Sequence, residues 1–209
     1  MSVLKRIAYF QNRRDEVPNQ QLAQALAEKK DKKGIREIAD HVWDENPAIQ
    51  SDCLKVLYEI GYLAPSLVAN YVGDFLKLLR HKNNRLVWGS MIALSTIAEI
   101  KAEEIYAQAS EIQTVMEKGS VITVDNGVKI LALVASTQAS YRRKIFPYLL
   151  EHLKTCRPKE VPQHAEKSVV AVNAKNKTQF IQVLEKRMTD MTNSGAARLK
   201  RVIKEAERR

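Results

Sequence analysis

An apolar triple at positions n, n+8 and n+11 recurs four times in this chain of 209 residues: Ile49/Leu57/Ile60, Leu86/Leu94/Ile97, Ile122/Ile130/Leu133 and Val161/Val169/Val172. First members lie 37, 36 and 39 residues apart. Apolar pairs precede each triple: Ala39/Val42, Leu76/Leu79 and Ile112/Val115 at fixed spacing, and Leu150/Leu153 one residue off. Spacings of three, eight and eleven fall on one face of an α-helix, so each recurrence describes two helices in succession. Self-similarity at 20–50 residues is the mark of stacked repeats, each burying its apolar face against its neighbours.

The spacing predicts first helices over residues 34–44, 65–80, 103–118 and 140–155. Second helices fall over 47–62, 84–99, 121–136 and 159–174. A leading helix over 20–30 and a terminal pair over 177–190 and 193–208 complete the set. Turn residues in "ENP", "KNN", "KGS" and "CRPK" sit between the helices of a pair, and Pro47, Pro65 and Pro158 open helices, where a missing N–H does no harm. The second helix "RLVWGSMIALSTI" nearly lacks a charged face. An element covered by its partner and by both neighbouring repeats needs no broad polar side.

On these residues the chain resembles the HEAT and armadillo repeat proteins. That resemblance covers about residues 20–190 and implies an all-α fold, a right-handed α-α superhelix of about five helical hairpins. The 34-residue tetratricopeptide pattern is absent. The expected organisation is a single solenoid domain over 1–209: an N-terminal capping segment over 1–19, hairpin repeats over 20–174 and a basic C-terminal capping pair over 175–209.

Only 7 Gly and 6 Pro, with 45% hydrophobic and 28% charged residues, fit an ordered helical protein. No apolar run approaches the roughly 20 residues that span a bilayer, so no membrane partner is expected. "MSVLKRIAYFQNRRDEVP" has no continuous apolar core and reads instead as a short amphipathic helix presenting Val3, Ile7 and Phe10. Two well-separated cysteines, Cys53 and Cys156, suit reduced thiols and a cytoplasmic protein; Cys53 belongs to the buried face of its helix. The net charge of +10 is uneven: eight Lys/Arg against four Asp/Glu over 1–33, fifteen against sixteen over 34–166, eleven against four over 167–209.

The second helices should line the concave face. Three positions past each triple's origin stand Asp52, Gly89, Asp125 and His164, with Lys55, Glu59, Trp88, Thr96, Lys129 and Lys167 nearby. Asp52, Lys55, Glu59, Trp88, Asp125, Lys129 and His164 form the expected partner-binding set, set against their reading as ordinary solvated residues of partly exposed helices. Turns within pairs would carry a basic edge of Arg80, Lys82, Arg85, Lys118, Arg157 and Lys159, continued by Arg198 and Arg201 in the tail. Such charges can follow a phosphate backbone, and they also offset helix dipoles by about 0.3–1 kcal/mol each.

Catalytic patterns are poor. No Gly-rich phosphate loop, nucleophile elbow or Cys-x-x-Cys is present, and His152 with Cys156, four apart, makes only two ligands, so no metal or other cofactor is expected. "ITVDNG" resembles the acidic site of the HEAT-like glycosylases that excise alkylated bases. That resemblance implies a catalytic role for Asp125, but Val121, Ile122 and Val124 stand where paired tryptophans would be expected. The leading expectation is therefore a non-catalytic scaffold binding a protein or peptide, with nucleic acid as the alternative partner. Oligomeric state and pathway are not legible.

Overall fold

The computed structural model describes residues 2–209, all helix, turn and loop, with twelve α-helices and no strand among the described residues. Two compact units divide it, one up to Thr123 and one from Val124 onward.

The first unit opens with two 3-10 turns, Leu4–Arg6 and Tyr9–Gln11, in place of the amphipathic helix expected there. Ile7 is fully buried, whereas Phe10 is 44% exposed. Helix α1 (Val17–Glu28) ends with Lys30 in the left-handed conformation, φ 50°. Its N–H bonds Ala27 and that of Asp31 bonds Leu26, a Schellman closure that usually employs glycine. Asp31 then caps α2 (Lys32–Asp40) by accepting from the Gly34 N–H at 3.0 Å. Asn46 caps α3 (Pro47–Leu63) through the Ala48 N–H at 2.9 Å. Asn83 likewise caps α5 (Asn84–Ile97) through the Arg85 N–H at 3.0 Å. These caps are the physical content of "ENP" and "KNN".

First helices are more broken than the spacing predicts. Residues 65–71 form two 3-10 turns, leaving α4 as Val72–Leu78. Residues 103–118 split into α6 (Ala102–Tyr106) and α7 (Ala109–Glu117), and no Gly or Pro marks the break. The second helices α3 and α5 pack closely, as do α2 on α3 and α4 on α5. Two glycines permit the α3–α5 approach: a Cβ on Gly61 would lie 2.2 Å from Thr96 Oγ1, and one on Gly89 2.7 Å from Leu54 Cδ2. Burial explains the apolarity of α5, where Leu86, Met91, Leu94 and Ile97 have no exposure.

Helix α8 (Val121–Thr137) corrects the register of the third repeat. Ile122 is 44% exposed, whereas Thr123, Leu131 and Val134 are at most 1% exposed and keep the n, n+8, n+11 spacing. The repeat origin is therefore Thr123, and the steps become 37, 37 and 38 residues. A threonine is tolerated at this buried origin because its hydroxyl pairs with Ser120 Oγ at 3.0 Å.

The second unit contains α9 (Ala139–Thr155), α10 (Val161–Ser168), α11 (Lys177–Met188) and α12 (Asn193–Glu207). Helix α10 is shorter than expected, closing in a 3-10 turn at Val169–Ala171. First helix meets first (α9 on α11) and second meets second (α10 on α12). Phe180, Leu184, Leu199 and Ala206 seal the last pair. Arg187 on α11 donates to the carbonyls of Leu153, Lys154 and Cys156 at 2.6–2.8 Å, occupying the acceptors left free at the end of α9.

Candidate functional site

In the first unit, α3 carries Asp52, Lys55 and Glu59, and the chain's own N-terminal segment engages two of them. Asp52 accepts from the Tyr9 N–H at 2.7 Å and from the Asn19 amide at 2.9 Å. Asn19, almost fully buried, in turn accepts from the Ala8 N–H at 2.9 Å. Lys55 pairs with Glu16 and Glu59, both at 2.7 Å, and lies 4.8 Å from the Tyr58 ring centroid. Burial works to lower its pKa, but hydrogen bonds to the two carboxylates outweigh it and raise the value.

Beside this latch lies a pocket of about 120 Å³ whose lining includes Arg14, Lys55, Tyr58, Arg85, Trp88 and Gly89. Trp88 is half-buried and Arg85 exposed. Arg13, also at the pocket, is neutralised by Asp15, whereas Arg14 and Arg85 make no ion pair among the described residues. The pocket thus has an aromatic wall and two uncommitted cations beside three carboxylates, Asp15, Glu16 and Asp52, each engaged by neighbouring groups.

In the second unit, α8, α9 and α10 bring five polar side chains into one chain of contacts. Asp125 Oδ1 lies 2.7 Å from His164 Nε2, and its Oδ2 accepts from the Gln163 amide at 2.6 Å. Lys167 donates to the Asp125 carbonyl at 2.9 Å. His164 Nδ1 lies 2.9 Å from His152 Nε2. A carboxylate oxygen accepts, so His164 holds its proton on Nε2 and presents a bare Nδ1, to which His152 Nε2–H donates. The Cys156 thiol is also at hand: the ligand atoms of His152, Cys156 and His164 all lie within 4.8 Å of one another. His164 is fully buried. Burial drives the His152 pKa down to about 4, reinforced by the charge of His164. His164 is lowered by burial too, against the opposing pull of Asp125. Burial raises the Cys156 thiol to about 11, while the Arg187 charge works downward.

Of the expected partner-binding set, Asp52, Lys55 and Trp88 line the open pocket, and Asp125 and His164 belong to one network in which His164 is buried and Asp125 half-buried. Register correction puts Asn126, rather than Asp125, at the repeat position of Asp52 and His164. Lys129 on α8 is half-buried. Both carboxylate oxygens of Asp125 are engaged, an arrangement that orients His164. Val121 and Ile122 at the start of α8 are surface residues, 49% and 44% exposed.

The basic set divides. Arg80 forms a two-pronged pair with Glu111 and Arg198 one with Glu166, at 2.6–2.8 Å, and Arg157 pairs with Glu160. Lys82, Arg85, Lys118, Lys159 and Arg201 are exposed without an ion pair among the described residues. Sequence reading missed Gln163 and Arg187, and it paired His152 with Cys156 without their third neighbour. All three fall within one repeat, and folding of the α9–α10 hairpin joins them.

These helical stacks have the all-α solenoid fold of armadillo and HEAT repeat proteins. The solved structures that resemble it include an engineered protein (TM-score 0.65, 16% identity, 100% of this chain and 98% of that one). A designed armadillo repeat protein in complex with the peptide (KR)4 matches with TM-score 0.70 at 12% identity, over 90% of this chain and 86% of that one. The karyopherin Kap121p bound to the SUMO protease Ulp1p matches with TM-score 0.73 at 14% identity, over 98% of this chain. The chain spans only 22% of that karyopherin. No protein-family model and no curated protein sequence matches the chain. No helix is long and apolar enough to cross a membrane among the described residues.

Proposed function

We propose that the protein is a non-catalytic repeat scaffold that binds an acidic peptide segment of a partner protein on the face presented by α3 and α5. The observation that carries this reading is the pocket lined by Trp88 and Tyr58 together with Arg14 and Arg85, the two arginines there that make no ion pair among the described residues. Aromatic and arginine side chains in a partly desolvated pocket supply most of the energy in peptide and protein recognition. Carboxylates are the ligands a guanidinium fork fits best. Two of the similar solved structures are complexes, one with (KR)4 and one with Ulp1p, which supports a binding role for this architecture. Arg13, Arg14, Lys55 and Arg85 outnumber Asp15, Glu16 and Asp52 in the lining, and those carboxylates are already engaged, so the expected ligand is acidic.

A fluorescence-polarisation titration with labelled (Asp-Glu)4 and (Lys-Arg)4 octapeptides tests the reading. The acidic peptide should bind and the basic one should not, and Trp88→Ala or Arg85→Glu should each weaken binding at least tenfold. If (Asp-Glu)4 fails to bind, or binds both variants as well as the natural chain, this reading is wrong. Nucleic acid remains the alternative partner; its support is narrowed because Arg80, Arg157 and Arg198 are already committed to glutamates.

A further inference from the structure

His152 sits in the last turn of α9, Cys156 immediately follows that helix, and His164 lies in α10. Three different elements of one hairpin therefore converge on a common point. His152 Nε2 and His164 Nδ1 face each other at 2.9 Å, and Cys156 Sγ completes a triangle whose sides are at most 4.8 Å. Zinc binds imidazole nitrogen at about 2.0–2.1 Å and thiolate sulfur at about 2.3 Å, so nitrogens sharing a tetrahedral ion stand about 3.3 Å apart and nitrogen and sulfur about 3.6 Å. The observed separations, 2.9 Å between the nitrogens and at most 4.8 Å within the triangle, differ from these by about 1 Å, a gap of the size side-chain rotation spans.

Outer contacts point the same way. Metal-bound histidines almost always donate their second ring N–H to a carboxylate or carbonyl, which fixes tautomer and orientation. Here Asp125 accepts from His164 Nε2 at 2.7 Å and is itself held by Gln163 at 2.6 Å. Arg187 donates to the Cys156 carbonyl at 2.8 Å, fixing the backbone that carries the thiol. A fully buried histidine whose Nδ1 turns away from its carboxylate toward a second imidazole and a thiol has the form of a ligand set.

From this geometry we infer that His152, Cys156 and His164 bind a divalent ion of the zinc class, with Asp125 positioning His164. Nitrogen and sulfur donors exclude magnesium and calcium, which require oxygen ligands. On binding, Cys156 gives its thiol proton to solvent. His152 moves its ring proton to Nδ1, so that both nitrogens now facing each other turn their lone pairs to the ion. His152 and Cys156 are only half-buried, which leaves the fourth position open to water. One thiolate on a divalent ion leaves a single positive charge, and the adjacent Asp125 carboxylate balances it.

Cobalt(II) is the probe, added to the full chain under a reductant other than a thiol. The natural chain should show tetrahedral visible bands and a thiolate-to-cobalt charge-transfer band, both displaced by stoichiometric Zn2+ and untouched by excess Mg2+. Cys156→Ser should lose the charge-transfer band, His152→Gln should lose the tetrahedral bands, and Asp125→Asn should weaken binding about 10–100-fold. Should either ligand variant unfold by circular dichroism, the natural chain alone decides: Zn2+ should shield Cys156 from iodoacetamide, with buried Cys53 as the internal control. Absence of the charge-transfer band, cobalt binding that survives both ligand substitutions in folded protein, or no protection of Cys156 would each overturn the assignment. A plain buried polar network would then account for the cluster. The outcome is independent of peptide binding, which uses residues of the first unit.

Discussion

Glu37 shows how much one side chain can organise. On α2 its carboxylate receives the Ser2 hydroxyl and the N–H groups of Val3 (3.1 Å) and Leu4 (3.3 Å), capping the first 3-10 turn. Burial works to raise its pKa, but the hydroxyl and the two backbone donors more than offset it, and the net shift is downward from 4.5. A depressed folded-state carboxylate contributes stability that is present above its unfolded value near 4.5 and is lost as pH falls through the lower folded value. The amide resonances of Val3 and Leu4 should therefore move toward disordered positions on acidification below about pH 4, and Glu37→Gln should weaken the same contact already at neutral pH. Amides that hold their positions to pH 2 would remove Glu37 from this role. None of this was legible in the sequence, where Glu37 is one more charge on a helix face and its partners lie more than thirty residues away. Asp52 and Lys55 have the same history. Expected to face a partner, they hold Tyr9, Asn19, Glu16 and Glu59 while also lining the pocket beside Trp88.

Among helices, the signal that carried best was apolar spacing in the second member of each pair. Helix α3 was expected over 47–62 and runs Pro47–Leu63; α5 was expected over 84–99 and runs Asn84–Ile97. These helices are covered on several sides, so their pattern is dense and their Asn and Pro caps are unambiguous. First helices carry fewer buried positions, and a break such as that between α6 and α7 leaves no mark in local chemistry. The third repeat slipped by one residue because Thr123, polar by composition, occupies a buried origin that only its bond to Ser120 makes acceptable. Packing between second helices rests on small residues, and this is testable. Alanine at Gly61 would gain about 1 kcal/mol of helix propensity but meet Thr96 at 2.2 Å, and overpacking of this kind costs about 1–3 kcal/mol. Gly61→Ala should thus lower the urea midpoint, while Gly61→Ala with Thr96→Ala should return to the natural value or exceed it. Destabilisation that persists in the double variant would place the strain elsewhere.

For the chain as a whole the question is whether +10 charges amount to a nucleic-acid surface. Any protein this basic collects DNA at low salt, so binding alone distinguishes nothing; the salt slope does, since log affinity falls by about 0.9 per phosphate contacted for each decade of salt. Arginines paired with Glu111, Glu160 and Glu166 are unavailable unless those pairs open. Of the expected edge cations, Lys82, Arg85 and Lys118 in the first unit and Lys159 and Arg201 in the second make no ion pair among the described residues. Three phosphates would give a slope of about −2.7, a loss of about 40-fold between 50 and 200 mM salt, with nothing specific left at physiological strength. Duplex DNA should follow that line and be indifferent to Trp88→Ala, because a diffuse field does not need an aromatic wall. Acidic peptide should lose less with salt and depend on Trp88, because stacking and desolvated pairing survive screening better than long-range attraction. A DNA slope corresponding to six or more phosphates, together with peptide binding that ignores Trp88, would transfer the function to the basic surface.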